Sequence, residues 1–84
     1  MFHKAVNLRL LEGTILEVTF QDGQIRQHDA QCLFPKYPQL AVLQGRALFL
    51  SGRLSPEGYG IVWNDDLDLE TETIYEDGLS RMRG

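Results

Sequence analysis

Eighty-four residues with 43% apolar side chains, 24% charged ones and eight aromatic rings (one Trp, three Tyr, four Phe) suit one small folded domain with a modest core. Two domains, wholesale disorder and fibrous repeats are excluded on these numbers. The formal net charge is −4, and it is unevenly spread. Residues 1–42 balance Lys4, Arg9, Arg26 and Lys36 against Glu12, Glu17, Asp22 and Asp29. From Glu57 to Asp77 there are eight carboxylates (Glu57, Asp65, Asp66, Asp68, Glu70, Glu72, Glu76, Asp77) and no Lys or Arg. Such a surface repels phosphate backbones, which argues against direct nucleic-acid binding. A charge run is first of all a solvated face that keeps a chain soluble, and secondly a surface for a basic partner.

The single Cys32 rules out an intrachain disulfide and a four-thiolate zinc site, which suits a reducing compartment. Lys4, Asn7 and Arg9 interrupt the N-terminal stretch, so it lacks the apolar core of a signal peptide. No run approaches the roughly 20 apolar residues of a membrane helix. The expected location is therefore the cytoplasm, with no membrane contact.

In chain order, Val6, Leu8, Leu10 and then Leu16, Val18, Phe20 alternate with a period of two and predict a β-hairpin. A three-residue loop at Glu12-Gly13-Thr14 sets Val6 against Phe20, Leu8 against Val18 and Leu10 against Leu16, all on one face. Asp22-Gly23 predicts a tight type I′ turn with Phe20 opposite Ile25. The short polar strand that follows, Gln24 to His28, reads as an edge. Asp29 can cap a helical turn from Ala30 to Phe34 that Pro35 ends, and a second piece runs from Pro38 to Gln44, burying Leu40 and Leu43 before Gly45. A last hairpin is expected around Ser55-Pro56-Glu57-Gly58, pairing Leu54 with Tyr59, Gly52 with Ile61 and Leu50 with Trp63. These elements make a small α+β fold, an antiparallel sheet built from N-terminal and C-terminal hairpins with one or two short helices between them. The whole chain, 1–84, reads as a single domain, with residues 79–84 as a disordered tail.

Four segments in order resemble the small bacterial family called domain of unknown function 2442. They are Leu16 to Gly23, with Phe20, Asp22 and Gly23 as its strand and turn; Phe49; Gly60 to Leu69, carrying Trp63, Asp68 and Leu69; and Ile74-Tyr75, running on to Gly78. The resemblance covers about residues 5–78 and implies a small α+β domain without an established activity. Some members carry a helix-turn-helix segment; the six residues that follow Gly78 here are too few for two helices, so direct DNA recognition is not expected. Family genes commonly neighbour a short protein of the domain of unknown function 4160 family. That neighbourhood implies a two-protein module of the toxin–antitoxin kind.

Catalytic candidates are few. His28 and Cys32 are four apart and could meet on one helical turn, but a lone cysteine is more simply a buried apolar residue. His3 reads as solvated. Asp66, Asp68 and Asp77 echo a calcium loop, yet Thr71 stands where that loop needs glycine. No glycine pattern fits a phosphate loop. The expectation is therefore no catalytic residue, no bound metal and no cofactor. The leading reading is an interaction module, antitoxin-like or regulatory, that holds a small protein partner or a second copy of itself through Asp65, Asp66, Glu70, Glu72, Glu76 and Asp77. The alternative is a small-ligand or metal-binding enzyme subunit using the same 65–77 segment. Tyr75 is expected to dock the C-terminal segment on the core through its hydroxyl.

Overall fold

The structure, a computed structural model, describes residues 3–80, without the side chains of Asp77, Leu79 and Ser80. Strand β1 (Ala5–Leu10) and strand β2 (Ile15–Phe20) pair in the register that the three-residue loop predicts, with Leu8 opposite Val18 and Leu10 opposite Leu16. Gly13 takes a φ of 66°, the left-handed conformation this short loop needs. Leu16, Val18 and Phe20 are buried, as their alternation requires.

At the start of β1 the expected Val6 to Phe20 pair is not formed. A bulge between Ala5 and Asn7 puts Ala5 opposite Phe20 and turns Val6 to solvent, 53% exposed. The cause lies in the backbone. Lys4 O accepts from Gln21 N and Ala5 N donates to Gly58 O, each at 2.7 Å, so the strand is held between two neighbours where only a small side chain fits inward.

The second turn also differs from expectation. Phe20 N donates to Gln24 O (2.8 Å) and Gly23 N to Phe20 O (2.9 Å), so Gln21-Asp22-Gly23 is a three-residue connection and Phe20 faces Gln24 instead of Ile25. A type I′ turn needs positive φ at both central residues. Here Gly23 alone has it, at 92°, while Asp22 keeps a negative φ and accepts Gln24 N at 3.0 Å. Strand β3 (Ile25–Asp29) follows.

Asp29 caps a 3₁₀ turn at Ala30–Leu33, accepting Gln31 N at 3.0 Å and the Thr14 hydroxyl. A second 3₁₀ segment, Pro38–Gln44, buries Leu40 and Leu43 and closes at Gly45. Both were legible in their capping and proline signals.

The segment after Gly45 departs from the predicted strand. Arg46–Phe49 forms a helical turn, α1, so Phe49 points into the core while Leu50 is 51% exposed. Only Arg53–Leu54 remains extended, as β4. It pairs with β5 (Gly60–Asn64) as Arg53 to Val62 and Leu54 to Ile61, two residues beyond the predicted register. The Ser55 to Gly58 turn forms, with Gly58 N donating to Ser55 O at 3.0 Å, but Ser55 N to Gly60 O (2.8 Å) draws Tyr59 into the connection. Gly52 still has to be small, for a different reason. A Cβ there would stand 2.5 Å from Trp63 Nε1.

Strand β6 (Leu67–Glu70) pairs with β5, helix α2 (Thr71–Asp77) follows, and β7 (Leu79–Ser80) pairs with Gln27 and Arg26 of β3. Residues 79 and 80 therefore belong to the fold and not to a tail, and β3 is an inner strand over that short stretch. Residues 81–84 lie outside the described residues. The result is an α+β fold with two antiparallel sheets, ordered β1-β2-β3-β7 and β4-β5-β6. Leu16, Val18, Phe20, Phe49, Ile61, Trp63 and Ile74 share one core between them. No helix among the described residues is long and apolar enough to cross a membrane.

Candidate functional site

The acidic residues singled out from the sequence fall on two neighbouring elements. Asp65 and Asp66 are exposed in the turn between β5 and β6, where Asn64 Oδ1 accepts Asp66 N at 2.9 Å. Along β6 the side chains alternate, Leu67 and Leu69 buried, Asp68 and Glu70 exposed, as a half-buried strand requires. Glu76 is exposed on α2, and the Asp77 side chain lies outside the described residues. Glu70 stands at the rim of two depressions. One, of about 270 Å³, is bordered by Tyr37, Gln39, Leu40, Asp68 and Thr73; the other, of about 320 Å³, by Tyr59, Thr71 and Glu72. Among the described residues no three His, Cys, Asp or Glu side chains gather to hold a metal ion. The segment that echoes a calcium loop is a strand followed by a helix, so its acids are spread along two elements.

Glu72 has a different role from its neighbours. Its Oε1 accepts His3 N at 2.8 Å and its Oε2 lies 2.9 Å from His3 Nδ1. The His3 ring stacks on Tyr75 with centroids 3.5 Å apart and planes 5° from parallel. Tyr75 in turn donates its hydroxyl to Asp22 Oδ2 at 2.7 Å and sits edge-on to Phe20 at 4.8 Å. The Arg26 guanidinium lies 4.9 Å from the centroid of the same ring. Three motif residues, Phe20, Asp22 and Tyr75, thus meet in one clasp, and the docking role expected of Tyr75 holds. His3 was read as solvated; it is instead a member of this clasp. No local pattern near residue 3 signals a partner 69 positions away.

The clasp shifts its ionisable groups in consistent directions. The Tyr75 hydroxyl, then the Gln24 amide, hold the Asp22 carboxyl below its usual range. Burial pushes Glu72 upward, but the His3 amide and ring outweigh it and leave the carboxyl lowered. Donation to Asp22, with burial added, raises the Tyr75 hydroxyl. A tyrosine kept protonated beside a carboxylate acts as a joint and not as a base.

This sets a pH window. Lowered carboxyls stabilise the fold above the ordinary carboxylate range, and that contribution is lost as pH falls through about 4 and below. A raised tyrosine stabilises below its ordinary value of about 10, and its contribution is lost as pH climbs through the folded value. The contribution of these three groups to the melting temperature should therefore be level between about pH 5 and 9 and fall on both sides. Thermal melts across pH check this: Tyr75→Phe should remove the part of the alkaline fall due to this hydroxyl, and Tyr75→Ala should lower the plateau itself.

Two other candidates fall on different elements. His28 is on β3, whereas Cys32 is on the following 3₁₀ turn and exposed, contrary to the buried position expected for it. In that turn Ala30 and Leu33 take the inward positions, which leaves Cys32 facing out. Phe49, Trp63 and Leu69 are core residues, and Trp63 Nε1 donates to Phe49 O at 3.1 Å.

Neither a curated protein nor a solved structure matches the chain. Residues 5–79 match the family described as protein of unknown function (DUF2442), nearly the span over which the motifs run. With almost the whole described chain matched and the motif residues Phe20, Phe49, Trp63 and Tyr75 gathered in its core and clasp, the chain belongs to the domain of unknown function 2442 family.

Proposed function

We propose that the protein is a non-catalytic interaction module, of the antitoxin-like or regulatory kind, whose acidic hairpin and adjoining helix hold a basic protein partner. The observation that carries this reading is the exposure of Asp65, Asp66, Asp68, Glu70 and Glu76 on consecutive elements, in a stretch of chain that contains no Lys or Arg. Among the described residues, ion pairs engage Glu72 and Glu17 but none of these five. Solvated carboxylates of this kind steer an oppositely charged partner and contribute more to association rate and selectivity than to bulk affinity.

The first partner to test is the short protein of the domain of unknown function 4160 family that the family resemblance suggests. Asp65→Asn, Asp66→Asn, Glu70→Gln and Glu76→Gln would be combined, with Glu72 left intact because it serves the clasp. Titration calorimetry at two salt concentrations should give a complex that weakens with salt and weakens by about tenfold or more in the neutralised variant. Affinity unchanged by the four substitutions would remove this mechanism.

A further inference from the structure

We propose that the outer edge of β6 accepts an extended basic segment of a partner as an additional strand. This inference rests on the interaction reading above and specifies how the contact is made. Thr71 N donates to Tyr59 O at 3.1 Å, which makes that pair a hydrogen-bonding position of the β5–β6 ladder. In an antiparallel ladder such positions alternate. The bonded position next along is Leu69 with Ile61, while Glu70 with Gly60 and Asp68 with Val62 are the non-bonded ones. Gly60 agrees, since its carbonyl turns the other way to accept Ser55 N. The amides and carbonyls of Asp68 and Glu70 therefore point away from β5. Among the described residues the sheet order β4-β5-β6 leaves β6 as its last strand.

A groove of about 270 Å³ adjoins β6, lined by Asp68 and Glu70 together with Tyr37, Gln39, Leu40 and Thr73. Strand addition draws affinity from the main chain and selectivity from side chains placed beside it. The exposed acids supply that selectivity. Charged residues on an edge guard against pairing with a like copy, and here Asp68 and Glu70 would face their own counterparts in a second molecule of this chain. A lysine- or arginine-bearing strand meets the same carboxylates favourably. The occupant is thus a basic extended peptide and not a second copy.

The test uses the full chain with a synthetic decapeptide alternating lysine and valine, and a glutamate–valine counterpart. At low salt the basic peptide should bind and slow hydrogen exchange at the Asp68 and Glu70 amides by about tenfold or more, as new main-chain hydrogen bonds do. Glu70→Gln removes only the charge. Glu70→Pro also removes the outward amide, at a backbone φ of −70° that proline already favours. The proline variant should bind about tenfold more weakly than the glutamine variant. Salt-sensitive binding that leaves both amides unprotected, or equal affinity of the two variants, would overturn the strand pairing while leaving the interaction reading in place. Binding of the acidic peptide as tightly as the basic one would overturn the charge selection, and no binding of either would count against both proposals. A free protein already dimeric, with those amides protected, would assign the edge to a second copy. Should Glu70→Pro fail to fold, the wild-type exchange data decide the matter alone.

Discussion

Replacing Trp63 with alanine is expected to cost about 3 to 5 kcal/mol, the range for emptying a buried aromatic site. The ring is 4% exposed and packs in the core shared by the two sheets. Domains of this length hold roughly 4 to 13 kcal/mol in total, so the loss is a large share of the stability and unfolds the variant at room temperature only if the wild type lies at the low end of that range. Denaturant unfolding followed by circular dichroism measures the loss, since Trp63 is the only tryptophan and its fluorescence goes with it. Trp63→Phe should cost less. It keeps much of the volume and gives up the hydrogen bond to Phe49 O, an acceptor that Gly52 N also serves at 3.2 Å. Equal losses in the two variants would mean that the hydrogen bond, and not the packing, holds the ring.

The second large effect is expected at Gly58. Its φ is 86°, and a Cβ there would lie 2.6 Å from Ala5 O and 2.8 Å from Lys4 Cγ. The lysine stem can yield, but the Ala5 carbonyl belongs to a backbone fixed by Ala5 N donating to Gly58 O at 2.7 Å. Gly58→Ala therefore combines backbone strain with a clash that only backbone movement relieves, together about 2 to 6 kcal/mol. Gly13→Ala is the control. That glycine also has positive φ, 66°, but nothing lies within 4 Å of the added atom, so strain alone should cost about 1 to 2 kcal/mol. Chemical denaturation of both variants compares them directly, and equal losses would show that the contact between β1 and the Gly58 turn adds nothing.

The elements that the sequence announced are those governed by neighbours in the chain. Gly13 with flanking alternation gave the first register, Asp29 and Pro38 placed the 3₁₀ turns, and Leu67 and Leu69 marked β6. Misreadings arose where a short-range signal competed with a distant contact. Leu48 and Leu50 alternate like a strand, yet the core takes Phe49, and a helical turn is what delivers it. Asp22-Gly23 looks like a two-residue turn, but adding Gln21 lets Asp22 keep negative φ and still reach Tyr75. Val6 lost its inward place to Ala5 because Gly58, far along the chain, claims the Ala5 amide. At the candidate site the acids were legible as a charge run, and the place of β6 at the end of its sheet among the described residues was not, since it depends on which strand pairs last.

The clasp joins residues 69 apart, His3 with Glu72, and 53 apart, Asp22 with Tyr75, whereas the turns of β1 to β3 close over a few residues. Closing a long loop costs more chain entropy than closing a short one, and the cost must be met before the contact rewards it. Local strand pairing is therefore expected early in assembly, and the seating of Tyr75 late. Run backwards, the same order makes the clasp between Tyr75 and the β2–β3 turn the first of these contacts expected to open.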